Sequence, residues 1–133
     1  MATARNLDRP LSPHLQIWKW GPHMLVSILH RACGTAMATA GTVLFVWWLA
    51  AAASGREAYD AFLQVASFWY LGYVVAVGLT LAFFLHLANG IRHFFMDAGA
   101  NFELRANKSS AVAVILFGLG ATAAYWAYLI WAK

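Results

Sequence analysis

Four ionisable side chains lie at or just beyond the end of a long apolar stretch of this sequence: His86, Arg92, His93 and Asp97. On a helix, His86, Gly90 and His93 stand at positions i, i+4 and i+7 and therefore share one face. A glycine between two imidazoles leaves the backbone open to a flat group. Ionisable residues at membrane depth usually serve a function, and neutral imidazole is a standard axial ligand of haem iron. The pattern predicts that His86 binds haem between membrane helices; the alternative is that His86 only bridges helices by a hydrogen bond.

A haem with two histidine ligands requires a second imidazole at the same depth on a facing helix. His30 lies at a similar depth, but His14 and His23 belong to a surface segment and His93 points the same way as His86. Two axial ligands cannot come from one face of one helix, and three short helices enclose a macrocycle poorly. We therefore expect the second ligand to come from another chain.

A second polar group precedes the first apolar stretch. Ser27, His30 and Arg31 stand at i, i+3 and i+4, and Gly34 extends their face. Hydroxyl, imidazole and guanidinium together suit a ligand with carbonyl or carboxylate oxygens, such as a quinone head group or haem propionates. The alternative is that His30 and Arg31 only reach toward lipid phosphates from a helix end.

Two further residues are expected to carry no chemistry. Asp97 lies with Arg92 at the membrane exit, where an exposed charge needs no special role. Cys33 is expected to be a small packing residue, and as the only cysteine it excludes an intrachain disulfide.

Composition indicates a membrane protein. Of the 133 residues, 62% are hydrophobic and 11% are charged, against roughly 25% charged in soluble domains. We predict one all-α domain over residues 1–133. Its three transmembrane helices are predicted at about 24–55, 61–93 and 109–132, where the chain is almost free of charge.

The basic residues predict a topology rather than a nucleic-acid partner, because the net charge of +4 is spread thinly. Three spans put the N-terminus and the second loop on one side of the bilayer. That side holds seven basic residues: Arg5, Arg9, Lys19, Arg31, Arg92, Arg105 and Lys108. The opposite side holds Arg56 and Lys133, so the positive-inside rule predicts a cytoplasmic N-terminus. The first residues resemble neither a secretory signal nor a transit peptide, which favours a bacterial inner membrane over a mitochondrial one.

Three motifs in order carry a family resemblance: residues 9–15 (RPLSPHL), residues 27–31 (SILHR) with Gly34, and residues 86–97 (HLANGIRHFFMD). Over nearly its whole length the chain resembles the cytochrome b subunit of succinate dehydrogenase, a membrane anchor of respiratory complex II. Cys33 departs from the hydroxyl residue common before the glycine, but it touches no residue with an assigned role.

The resemblance implies the following roles. His86 matches the axial ligand of a single haem b, His30 and Arg31 match residues near the haem propionates, and His93 lies near the haem edge. Ser27 and Arg31 match the lining of the ubiquinone pocket.

The family pairs this chain with a second membrane anchor that supplies the other axial histidine, and with an iron–sulfur subunit and a flavoprotein. The implied activity is transfer of electrons from succinate to ubiquinone by the complex, to which this chain contributes no catalytic residue of its own. Two alternatives stay open: a haem-free quinone-binding anchor of a fumarate reductase, and a structural membrane subunit without a redox role.

Overall fold

The computed structural model describes residues 17 and 19–132, and these form helices joined by short turns, with no strand among them. The motif at residues 9–15, with His14, lies outside the described residues. The helices are α1 (Pro22–Ala36), α2 (Thr42–Ser54), α3 (Arg56–Ala66), α4 (Leu71–Asp97) and α5 (Leu104–Trp131). A π-helical turn, Met37–Gly41, makes α1 and α2 continuous, and a 3₁₀ turn, Phe68–Tyr70, precedes α4. The prediction of an all-α chain is confirmed.

Three continuous helical stretches are long and apolar enough to cross a membrane: Pro22–Ser54, Phe68–Asp97 and Leu104–Trp131. Even the shortest, of 28 residues, extends about 42 Å, more than the hydrocarbon core of a bilayer. The predicted number of spans is therefore confirmed.

The start of the second stretch differs from the predicted residue 61. Residues 61–66 belong to α3, an amphipathic helix that begins after Gly55, whose φ of +104° suits glycine alone. The chain then breaks at Trp69 and Tyr70, whose φ values are 47° and 60°. Residues 61–85 carry no charge, which is why the sequence predicts that the span begins at residue 61. Counting charges alone does not show that the chain changes within this range from an amphipathic helix to a uniformly apolar one.

Helix α4 is the centre of the bundle. It packs against both α1 and α5, which also contact each other, whereas α2 packs mainly against α3. Val26, Ala111 and Val114 form a small buried core between α1 and α5, with Ala88 of α4 packed against it. Small residues let these helix backbones approach closely, as is common in membrane bundles.

A second close contact joins α4 to α5. A Cβ atom added at Gly118 would overlap the side chain of Leu85, so this leucine occupies a notch that only glycine provides. Leu85 directly precedes His86 in the sequence, and the notch therefore fixes the height of His86 relative to α5.

The exterior of the bundle is apolar. Many large side chains on the outside of the spans are more than 40% exposed, including Phe45, Val74, Phe83, Leu116 and Ile130. Contiguous apolar surface of this kind suits lipid tails or other membrane helices and not water.

Candidate haem and quinone site

Three histidines from two helices meet on one side of α4. The rings of His30 on α1 and His86 on α4 are stacked, with centroids 3.8 Å apart and planes at 7°. His93, two turns further along α4, lies 5.4 Å from His30 between ring centroids. The prediction that His30 and His86 lie at a similar level of the bundle agrees with this contact.

The hydrogen bond of His86 determines which of its nitrogens is free. Its Nδ1 lies 3.1 Å from the backbone carbonyl oxygen of His30. A carbonyl oxygen can only accept, so Nδ1 carries the proton and the neutral ring keeps its lone pair on Nε2. Among the described residues Nε2 has no hydrogen-bond partner. An imidazole fixed by Nδ1–H to a backbone carbonyl, with Nε2 free, is the usual state of a metal-binding histidine.

Glycine makes this position of His86 accessible. A Cβ atom at Gly34 would lie 2.9 Å from Cε1 and 3.3 Å from Nδ1 of His86. The backbone of α1 therefore accommodates the imidazole only because Gly34 lacks a side chain. Gly90, by contrast, faces the ring of His30, where a Cβ would be 4.0 Å from Cε1, an ordinary contact distance.

One nitrogen of the His30 ring is buried. Nδ1 of His30 has no hydrogen-bond partner among the described residues. A buried polar atom without a partner costs on the order of 1–3 kcal/mol, so an additional polar group at this position would be stabilised. Such an orphan nitrogen beside the free Nε2 of His86 is consistent with a bound group that offers both a metal and oxygen atoms.

The donor set fits haem better than a bare metal ion. No group of three or more histidine, cysteine, aspartate or glutamate side chains that could hold a metal is found in the part of the chain that the structure describes. One free imidazole nitrogen is enough for a metal that brings its own equatorial ligands, as haem iron does. The residues at hand therefore fit the predicted haem, with His86 as the ligand.

Ser27 and Arg31 occupy successive turns of α1 on either side of His30. Ser27 is half-buried and Arg31 is exposed, and neither side chain hydrogen-bonds to another described residue. Whereas His30 turns toward α4, these two side chains keep their donors available for a ligand at the surface of the bundle.

The residues that sequence reasoning missed form a buried polar network. Arg92 is 6% exposed and donates to Asn89 Oδ1 at 3.3 Å, Ser110 Oγ at 3.0 Å and Asn107 Oδ1 at 3.0 Å. The sequence places Arg92 near the end of the span, but it does not indicate that the side chain is buried or name its partners. Asp97, in contrast, is exposed as expected. The available signal was the i, i+3 spacing of Asn89 and Arg92, which predicts a shared face.

Cys33 is buried, in agreement with the packing role expected for it. The structure thus assigns the polar residues of these helices to two groups. The histidine cluster and the pair Ser27 and Arg31 have unfilled hydrogen-bonding or ligand capacity, while the Arg92 network is satisfied within the chain.

Three membrane-length helices around a histidine with one free ring nitrogen define an integral membrane protein with a candidate metal ligand between its helices. Residues 5–125 match the family described as the succinate dehydrogenase/fumarate reductase transmembrane subunit. The chain belongs to this family.

Individual relatives agree with this membership. The chain is 40% identical over 111 residues to the succinate dehydrogenase cytochrome b556 subunit of Paracoccus denitrificans, covering 83% of this chain and 84% of the relative. It is 36% identical over 119 residues to the b556 subunit of Rickettsia felis, covering 89% and 90%. The mitochondrial cytochrome b560 subunit of Sus scrofa is 33% identical over 113 residues, covering 82% and 64%.

The family resemblance drawn from the three motifs is therefore confirmed, and the chain is a transmembrane subunit of an oxidoreductase complex. The two bacterial relatives match more of their own length, and at higher identity, than the mitochondrial one. This agrees with the predicted location in a bacterial inner membrane.

Proposed function

We propose that this chain is the cytochrome b anchor of a succinate:ubiquinone oxidoreductase. It holds haem b together with a second membrane anchor and forms part of the ubiquinone reduction site. Electrons from succinate reach that site through the flavoprotein and iron–sulfur subunits, which dock at the cytoplasmic face on which the N-terminus lies. The observation that carries the proposal is the bond from His86 Nδ1 to the His30 carbonyl, since it leaves Nε2 free for iron.

In this proposal His86 supplies one axial ligand, and haem, when bound, supplies a one-electron carrier near the quinone. His30 cannot be the second ligand in this arrangement. Its ring is stacked face to face on that of His86 at 3.8 Å, so no flat group fits between the two rings. His30 and Arg31 would bind the haem propionates and His93 would line the haem edge, and a histidine of the partner anchor would supply the second ligand.

For the quinone, the proposal uses Ser27 and Arg31. Arg31 stabilises negative charge that develops on a quinone oxygen as it accepts electrons, an effect that is large in a site of low dielectric constant. Ser27 donates a hydrogen bond to the same head group. Both side chains are free to do so, since neither is engaged by another described residue.

Two rival functions remain, and the intact complex separates them. One is a haem-free anchor of a fumarate reductase, and the other is a structural subunit in which His86 only bridges helices. The bond from His86 to His30 is compatible with the second rival, but that rival gives no role to the free Nε2 or to the unpaired Nδ1 of His30.

The first experiment records reduced-minus-oxidised spectra of the purified complex with the natural chain, with His86→Ala and with His23→Ala. We expect b-type bands in the natural complex and in the His23 variant, and their loss in the His86 variant. His23 is a matched control because it is a histidine of the same chain with no assigned role. A natural complex without b-type bands would favour the haem-free rival.

The second experiment measures succinate:ubiquinone reductase activity of Ser27→Ala and Arg31→Ala. We expect the arginine variant to lose on the order of 100-fold, as when a charge-stabilising donor is removed from an active site. Ser54→Ala and Arg56→Ala are the matched controls, since both residues are exposed, Ser54 at the other end of the first span and Arg56 just beyond it. Unchanged quinone reduction by an assembled Arg31 variant would favour the structural rival.

A further inference from the structure

The buried polar network of α4 ends beside the histidine cluster, and the proposed function gives it no role. Asn89, 1% exposed, is one of the two largest side chains that are fully buried among the described residues. Arg92, two turns from His86, has three neutral oxygen partners and no carboxylate partner in the described part of the chain. Burying a guanidinium costs free energy. We therefore expect the hydrogen bonds of this network to contribute something to the structure or to the site that offsets this cost.

Two side chains of α4 reach the backbone of α1 at successive turns. His86 Nδ1 meets the carbonyl of His30 at 3.1 Å, and Asn89 Nδ2 meets the carbonyl of Val26 at 3.5 Å. Asn89 is three residues after His86, while Val26 is four residues before His30, as expected for antiparallel helices in contact. One such bond allows α4 to pivot on α1, whereas two bonds one turn apart fix both its sliding and its rotation.

The direction of the Asn89 bond depends on Arg92. A guanidinium can only donate hydrogen bonds, so the oxygen Oδ1 of Asn89 must face Arg92. The amide nitrogen is then turned toward the Val26 carbonyl, which can only accept. Arg92 is itself held by Ser110 and Asn107 of α5. Hydrogen bonds donated by Arg92 and Asn89 of α4 thus link α5 on one side with α1 on the other.

We propose that Asn89 and Arg92 are positioning residues for the imidazole of His86, an inference that rests on the proposed haem-binding function. They hold α4 against α1 in the register at which His86 Nδ1 meets the His30 carbonyl, so that Nε2 presents its lone pair to the iron in one orientation. Neither residue touches the haem in this proposal. They act through the helix that carries the ligand.

The test uses the purified complex with Asn89→Asp, Ser110→Ala and the control Thr122→Val. Aspartate at 89 keeps an acceptor for Arg92, now as a carboxylate, but has no donor for the Val26 carbonyl, so the hydrogen bond that is lost is the one to α1. Ser110→Ala removes one of the three partners of Arg92 and is the milder change. Thr122 is also a buried polar residue, but its hydroxyl bonds only to Gly118 of its own helix.

The readouts are haem per complex and the EPR spectrum of the bound haem, which responds to ligand orientation and not to stability alone. We expect Asn89→Asp to weaken haem retention roughly 10-fold, as losses of groups that orient a metal ligand do, and to shift or broaden the EPR signal. Ser110→Ala should shift it in the same direction by less, and Thr122→Val should not shift it.

The outcomes separate this inference from the proposed function. If the natural complex holds haem that depends on His86, and both network variants assemble with unaltered haem content and EPR signal, the positioning role is refuted while the function stands. If Asn89→Asp does not assemble, Ser110→Ala decides, and an unaltered signal in that variant refutes the role. A natural complex without haem refutes both.

Discussion

Adding one methyl group to Gly34 should disturb the proposed ligand directly. The new Cβ of Gly34→Ala would lie 2.9 Å from Cε1 and 3.3 Å from Nδ1 of His86. The imidazole would have to withdraw by several tenths of an ångström from α1. The same ring is stacked on His30 at 3.8 Å, and its Nδ1 is bonded to the His30 carbonyl at 3.1 Å. Withdrawal therefore stretches a bond that already exists.

The magnitude follows from these contacts. Overfilling a packed site costs about 1–3 kcal/mol, and weakening the histidine bond adds about 1 kcal/mol. Replacing glycine by alanine within a helix stabilises the helix by about 1 kcal/mol, which offsets part of this cost. The net loss of stability is thus about 1–3 kcal/mol, while haem affinity, which depends on the orientation of His86, should fall by roughly 10- to 100-fold.

The assay compares haem per complex and thermal unfolding for Gly34→Ala, Gly90→Ala and Gly120→Ala. A Cβ at Gly90 meets His30 only at 4.0 Å, and one at Gly120 meets nothing within 4 Å. We expect haem loss in the first variant only, and a natural or raised unfolding temperature in the last. If Gly34→Ala keeps its haem with an unaltered spectrum, the close approach of His86 to α1 does not determine ligation, and the reasoning fails.

Three further substitutions test the bundle itself by thermal unfolding of the assembled complex. Gly118→Ala should cost about 1–3 kcal/mol because its Cβ overlaps Leu85, and an unfolding temperature equal to that of the natural chain would show that the notch is not needed. Gly55→Ala should cost about 1–3 kcal/mol because a φ of +104° is strained for alanine; no loss there would mean that the turn relaxes freely. Arg56→Ala should leave the unfolding temperature unaltered, since its 4.0 Å pair with Asp60 is exposed, and a clear drop would reveal an unseen partner.

The number of spans and the meeting of the histidines were predictable from the sequence. Long charge-free runs are a strong signal, because lipid excludes charge throughout the width of the hydrocarbon layer. His30 and His86 could be matched in depth because three spans reverse direction at each loop, and charged residues mark where each span leaves the membrane. Those two constraints suffice to bring α1 and α4 together at the same level.

The burial of Arg92 was not predictable in the same way. In the sequence, a charged residue near the end of a span indicates the point where the chain leaves the membrane. The actual environment of Arg92 depends on α5, which begins only at Leu104 after a short turn. The rotation of α5 decides whether Asn107 and Ser110 face Arg92, and no local pattern specifies that rotation. The break in the helix at Trp69 and Tyr70 could not be predicted for a similar reason. Amino-acid composition does not indicate where bulky residues adopt a left-handed backbone.

Neighbouring residues of α4 enter glycine notches on two different helices: Leu85 meets Gly118 of α5, and His86 meets Gly34 of α1. Helix α5 contains no histidine, yet its contact with Leu85 helps to set the axial level of the imidazole. A simplified scaffold that copied only the histidine-bearing pair of helices would lose half of that constraint. Transplanting this centre into an artificial protein therefore requires all three helices, including the one without a ligand.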